Sequence, residues 1–258
     1  MNDNSLDEFS DIDQNENNDI ETKEHDSDLE NVVEPTNNVP NEVKVGVDIS
    51  IEKISEIFPK PNDPVENIRV TDIGLYSITK KNEAYFISNL ITKYFGENKI
   101  TITDSTACCG GNTISFLLHP QINKVNACEI DDLHFEILSN NVNLYKNANK
   151  VNLIKGNYLQ FAKSLEQDVI FYDLPWGGKK YMEKDELILG LYINEKFIPL
   201  SLIVNQMKEK AKLQVLKIPL NFSFTNFLKE IDYTKIKIHK IYNKFTKKLC
   251  YFIMILIS

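Results

Sequence analysis

Ile100-Thr101-Ile102-Thr103-Asp104-Ser105-Thr106-Ala107-Cys108-Cys109-Gly110-Gly111-Asn112 is the stretch on which the reading of this chain turns. β-Branched residues alternate as far as Asp104, a pattern that suits a pleated strand, then small residues take over. Residues 113–118 follow with the look of a helix. Strand, small-residue loop, helix is the opening unit of a doubly wound α/β sheet. Glycine in such a loop lets backbone amides approach a ligand, and the helix N-terminus adds its dipole. The Gly-Gly pair is not the G-x-G-x-x-G dinucleotide fingerprint.

The chain beyond this unit repeats the alternation. Residues 125–128 form a second short strand that ends in Glu129-Ile130-Asp131-Asp132, roughly twenty residues after the glycines, where a Rossmann-like unit places the acid that binds ribose hydroxyls. Glu129 is the first choice for that acid, and Asp132 starts a helix over 133–145. A third strand, 151–154, closes at Gly156-Asn157-Tyr158, where the Asn157 amide could read an adenine edge or cap the next helix. The fourth, 168–172, opens into Phe171-Tyr172-Asp173-Leu174-Pro175-Trp176-Gly177-Gly178. Asp173 and the Leu174 carbonyl can accept from an exocyclic amine, Pro175 stiffens the turn, and Trp176 offers a face to a planar, cationic ring. A turn with a core-packed tryptophan fits the same octet. A helix over 197–210, a strand at 215–218, a helix at 224–230 and a closing hairpin of 235–242 with 249–257 complete one mostly parallel sheet with an antiparallel C-terminal strand.

Upstream, residues 43–58 hold a short helix or strand, stopped by Pro59-Lys60-Pro61-Asn62-Asp63-Pro64. Residues 80–95 carry Ile87, Leu90, Ile91, Tyr94 and Phe95 at helical spacing, with Thr79 as the expected N-cap. Tyr76 just before it could stack on a ligand or act as a packing staple.

Charge is divided unevenly. Residues 1–42 hold fourteen acids against one base, Lys23, a net of −13, which leaves +5 on the other 216 residues of a chain whose total is −8. Such an acidic stretch with almost no aromatics cannot offset its ordering entropy by burial, so it reads as a disordered tail, an interaction segment for a protein partner or a solvating one. A mildly basic remainder suits a polyanion. Cys108, Cys109, Cys128 and Cys250 show no C-x-x-C spacing, so neither a disulfide framework nor a metal site is expected. The start lacks a secretory signal, and the longest apolar run, 250–257, falls short of the ~20 residues a bilayer needs. A soluble intracellular protein, in cytoplasm or nucleus and without membrane attachment, follows.

Taken together, residues 74–182 resemble the class I S-adenosylmethionine-dependent methyltransferases, and more narrowly the trimethylguanosine synthase family of cap guanine-N2 methyltransferases. Gly74-Leu75-Tyr76-Ser77-Ile78-Thr79 looks like that family's aromatic-Ser-Val-Thr segment, and Gly110-Gly111-Asn112-Thr113-Ile114 matches the end of its glycine loop. Glu129-Ile130-Asp131 with Asn140-Asn141 and Tyr145 fits its second strand and helix. Gly156-Asn157-Tyr158 takes the place of Gly-Asp-Phe, and Pro175-Trp176-Gly177-Gly178 is similar to Pro-Pro-Trp-Gly-Gly, the most specific piece. Cys108 replaces the loop's first glycine, Leu174 the first proline, and Asp173 stands where the family often has Ser.

The resemblance implies a Rossmann-like fold and transfer of a methyl group from S-adenosyl-L-methionine to the N2 amine of a 7-methylguanosine cap on RNA, without a metal. Methylation of an amine on uncapped RNA or DNA, and a non-catalytic cap- or RNA-binding module, are the alternatives. It places Asp173, Leu174, Pro175 and Trp176 at the reaction, and Trp176, Tyr76 and Asn141 at the substrate. Tyr76, Thr79, Asp104, Gly110, Asn112, Glu129, Asn157 and Asp173 would hold the cofactor. The catalytic domain would span 43–258, with 43–98 covering substrate and cofactor.

Overall fold

The computed structural model describes residues 43–45, 49–243 and 246–258, so the expected acidic tail lies outside the described residues. Two short strands, β1 (Val43–Val45) and β2 (Arg69–Thr71), pair antiparallel around helix α1 (Ile51–Ile57), which Ser50 caps by accepting from the Lys53 amide. Helices α2 (Asp72–Ser77) and α3 (Lys81–Thr92) follow. Then come β3 (Ile100–Asp104), α4 (Gly111–Leu118), β4 (Ile122–Glu129), α5 (Asp132–Asn143), β5 (Val151–Lys155), α6 (Tyr158–Phe161) and β6 (Val169–Tyr172). A hairpin of β7 (Gly190–Ile193) and β8 (Lys196–Pro199) leads to α7 (Leu200–Gln206), β9 (Leu213–Ile218), α8 (Phe224–Glu230), β10 (Lys235–Tyr242) and β11 (Leu249–Ile257).

The seven-stranded sheet runs β5-β4-β3-β6-β9-β11-β10; the pairs among β5, β4, β3, β6 and β9 are parallel, and β11 lies antiparallel to both its neighbours. This is the Rossmann-like arrangement that the alternating elements predict. From β3 the chain winds outward to β4 and β5, then returns to lay β6 on the other side of β3. That reversal opens a crevice at the carboxyl ends of β3 and β6, where open α/β sheets hold ligands.

Both faces of the sheet are covered, which is why the central strand β6, Val-Ile-Phe-Tyr, reads as an unbroken apolar run. In β6, Val169 and Phe171 join Ile87, Ile91 and Phe116 of α3 and α4 on one face. Ile170 and Tyr172 join Leu200, Ile203 and Val204 of α7 on the other. A third cluster packs Ile54, Ile68 and Val70 against Ile137 and Leu138 of α5, fastening the N-terminal segment to the sheet.

Two expectations are corrected. The helix predicted from 197 begins only at Leu200, because Asn194 and Glu195 take left-handed φ values of 48° and 64° and close the two-residue β7–β8 hairpin. Thr79 does not cap α3: its cap is Lys80, with no side-chain bond, and the threonine hydroxyl turns inward. Helix α5 does start at Asp132, as expected, and Asp131 caps it by accepting from the His134 amide at 2.9 Å. Among the described residues no helix is long and apolar enough to cross a membrane.

Candidate active site

Two loops leave the carboxyl edge of the sheet side by side, tied by a 3.0 Å bond from the Ser105 amide to the Phe171 carbonyl. In the first, Asp104 ends β3 fully buried. Its Oδ2 accepts from the Thr113 hydroxyl at 2.6 Å, while Oδ1 has no partner. Burial pushes this carboxyl up from 3.8 to about 7 against the lowering effect of the Thr113 bond. Ser105 Oγ and Asn112 Oδ1 are also buried without partners. Gly110 takes φ +96 ahead of α4, and Gly111 lies so close to Ile78 that a Cβ would stand 2.4 Å from its Cγ1.

Glu129, at the tip of β4, underpins this loop. One oxygen accepts from the Cys108 amide and the other from the Asp131 amide, each at 2.8 Å. Burial raises its proton affinity although the two amide bonds pull the other way. Cys108 holds φ 48, the left-handed region that favours glycine.

The second loop is tighter. Asp173 Oδ2 accepts from Lys217 Nζ at 2.9 Å and from Thr79 Oγ1 and Asn112 Nδ2, each at 3.3 Å. Lys217 also donates to Thr79 Oγ1 at 2.8 Å, and Thr106 Oγ1 donates to the Asp173 carbonyl at 2.8 Å. The Leu174 side chain is sunk in the core while Pro175 is exposed, so the loop is anchored just before it turns outward. Trp176 is half-buried. It meets Tyr181 edge-on at 5.2 Å and Tyr251 at 6.4 Å, and its Nε1 is buried without a partner. The Lys217 ammonium stands 5.4 Å from the Trp176 ring and 5.1 Å from that of Tyr251, whose hydroxyl donates to Glu83 at 2.8 Å.

Of the residues singled out from the sequence, Asp104, Thr79, Asn112, Asp173 and Trp176 thus meet around one crevice, with Glu129 beneath its glycine loop. Tyr76 lies in α2, exposed, with Lys179 of the tryptophan loop 4.8 Å from its ring. Asn157 is the N-cap of α6: its oxygen accepts from Leu159 and its amide nitrogen donates to the Tyr192 carbonyl, a cap that also pins the β7–β8 hairpin. Asn141 does not face a substrate. It is fully buried, accepts from the Arg69 and Asn140 nitrogens, and donates to the Arg69 and Cys109 carbonyls, clamping β2 to the glycine loop. Lys217 is absent from the sequence reading, although a lone cation inside the run Leu213-Gln214-Val215-Leu216-Lys217-Ile218 is a signal that could have found it, because buried charges need partners.

Known proteins bear on this crevice. A family model described as RNA cap guanine-N2 methyltransferase matches residues 98–256. The chain is 32% identical over 151 residues to the uncharacterized protein L320 of Acanthamoeba polyphaga mimivirus; the match covers 55% of this chain and 56% of that protein, so it spans little more than half of the relative's length. The fold is similar to that of a "putative methyltransferase" from Porphyromonas gingivalis W83, at a TM-score of 0.52 and 12% identity over 72% of this chain and 42% of that one.

Proposed function

The chain belongs to the RNA cap guanine-N2 methyltransferase family, and from that premise we propose that it methylates the exocyclic N2 amine of a 7-methylguanosine RNA cap, with S-adenosyl-L-methionine as donor. The observation that carries the proposal is the meeting of a donor-rich acid and a tryptophan face with unpartnered buried acceptors at the sheet's reversal point.

The residues present fit the cofactor. Asp104 Oδ1 and Asn112 Oδ1 are buried acceptors with nothing bound to them, the complement of an ammonium group, and burying a polar atom unpaired is costly. Glu129, at the end of the second sheet strand, would accept from ribose hydroxyls beside the two backbone amides it already holds. When bound, S-adenosyl-L-methionine supplies an electrophilic methyl group on a sulfonium.

The protein's own part is orientation. A guanine N2 lone pair is delocalised into the ring, so the amine must be held in line, a contribution worth up to roughly 7–11 kcal/mol in favourable cases. Trp176 supplies a face for the base. Asp173 and the Leu174 carbonyl accept from the amine and stabilise the positive charge that develops on it. Lys217, Thr79 and Asn112 fix the Asp173 rotamer, so the acceptor does not need to reorganise during reaction.

One observation favours a second reading, an amine on uncapped RNA. Lys217 already places a cation by the Trp176 ring, which lowers the gain from a cationic base. Incubation with labelled cofactor and matched RNAs ending in 7-methylguanosine, guanosine or triphosphate tests both. Label on the 7-methylguanosine RNA alone supports cap methylation; equal labelling moves the assignment to the second reading, and no labelling of any RNA overturns both.

A further inference from the structure

The adjacent cysteines carry no metal-site spacing, yet the fold brings a third ligand to them from another element. Cys108 Sγ and Cys109 Sγ lie 3.9 Å apart, and His134 of α5 completes a set whose ligand atoms all fall within 4.8 Å of one another. Two thiolates at about 2.3 Å on one tetrahedral zinc ion stand roughly 3.8 Å apart, so the sulfur separation already suits a shared cation.

The surroundings suit it as well. His134 Nδ1 faces the Asp131 carboxylate at 3.4 Å, and Nε2 is hydrogen-bonded to Thr71 Oγ1 at 2.9 Å, a contact that a cation would displace. A carboxylate on the far nitrogen of a ligating imidazole is the usual support of a zinc-bound histidine. Gly74 keeps the ground beside Cys109 clear, since a Cβ there would stand 2.9 Å from the sulfur. Cys109 and His134 are buried while Cys108 is half-exposed, which gives a cation a way in and leaves a fourth position for water. Two thiolates would neutralise a divalent charge in this buried setting, and sulfur with imidazole selects a soft or borderline ion over magnesium or calcium.

We propose that Cys108, Cys109 and His134 form a binding site for one divalent cation of the zinc class. Occupied, it staples the glycine loop to the first turn of α5. The ion takes its bonds from two sulfurs and one ring nitrogen, and the two thiol protons leave to solvent.

The test uses the full, reduced chain stripped of metal and titrated with zinc against a chromophoric chelator, then with cobalt to read the ligand field. One zinc per chain and a thiolate-to-cobalt charge-transfer band are expected. Cys108→Gly should lower zinc affinity about 100-fold or more, as loss of a ligand does. Because glycine relieves the left-handed φ at that position, the metal-free variant should melt no lower than the parent, which separates lost ligation from lost folding. His134→Gln should weaken zinc similarly. Uptake well below one equivalent while both thiols remain titratable, a cobalt spectrum without the thiolate band, or parental zinc affinity in Cys108→Gly would overturn the site. None of these readouts involves methyl transfer.

Discussion

The two loops at the carboxyl edge of the sheet are furnished in opposite ways. The glycine-loop side holds buried polar atoms without partners: the acceptors Asp104 Oδ1 and Asn112 Oδ1, and the Ser105 hydroxyl. The tryptophan-loop side crowds three donors onto one oxygen of Asp173. A pocket that lacks donors is completed by a ligand that brings them, whereas a pre-bonded acid is already in its working position. Affinity on the first side should therefore respond to ligand charge, and stability on the second should respond to deleting any one partner.

The largest effect expected is at Lys217. Lys217→Met would leave Asp173 facing an apolar neighbour and should cost about 3–5 kcal/mol in urea unfolding. Adding Asp173→Asn should restore much of that loss, because the pair is coupled. An unchanged unfolding midpoint in Lys217→Met would mean that the tryptophan-loop side is not pre-tightened.

Next is the pH response of Asp104. Its folded value is raised, so the protonated form is the stable one in the ligand-free fold; that stability is fully present near pH 3.8 and is lost as pH rises toward about 7. The three-unit span corresponds to at most about 4 kcal/mol. Melting curves of the parent and Asp104→Asn should diverge across this window, with the variant the more stable above pH 7, and parallel curves would break the donor-poor description of the glycine-loop side.

Glu129→Ala should weaken cofactor binding by roughly 1.5–3 kcal/mol, about tenfold to a hundredfold by calorimetric titration. Because Glu129 also holds the Cys108 and Asp131 amides, Glu129→Gln is the sharper variant: it keeps an acceptor oxygen and removes the charge. Parental cofactor affinity in both variants would move the role to Asp131.

The smallest effect concerns Trp176. Capped-RNA turnover should fall in the order Trp, Phe, Ala, and the preference for capped over uncapped RNA should shrink about twofold to thirtyfold in Trp176→Ala, the range of a cation–π contact of roughly 0.5–2 kcal/mol. Equal losses on both RNAs would leave the ring a packing role against Tyr181 and Tyr251.

Much of this architecture was legible because local pattern and tertiary demand agree. The strand at Ile100–Asp104, the helix at Phe224–Glu230 and the final hairpin strands stand where alternation and helical spacing put them. The β7–β8 hairpin was hidden by its Asn194-Glu195 turn, which reaches left-handed φ without the glycine that usually signals it. Asn141 and Asn157 were ambiguous for one reason: an amide side chain serves a ligand or the backbone equally well, and in the fold both hold backbone. Lys217 escaped because its partner acid lies forty-four residues earlier in the chain, in the loop that follows a separate strand.

The placement of β11 has a consequence for how the sheet is assembled. Strand β10 bonds to the sheet only through β11, which comes after it in the chain, so β10 has no place in the sheet until β11 has formed. The two are expected to dock as a preformed ribbon, and until they do, β9 presents an unpaired border in which four of six residues, Leu213, Val215, Leu216 and Ile218, are apolar. A chain interrupted before Leu249 would carry that sticky border permanently. It should precipitate on dilution from denaturant at concentrations where the uninterrupted chain refolds, and a monodisperse refolded product would show instead that β9 can close its border without the ribbon.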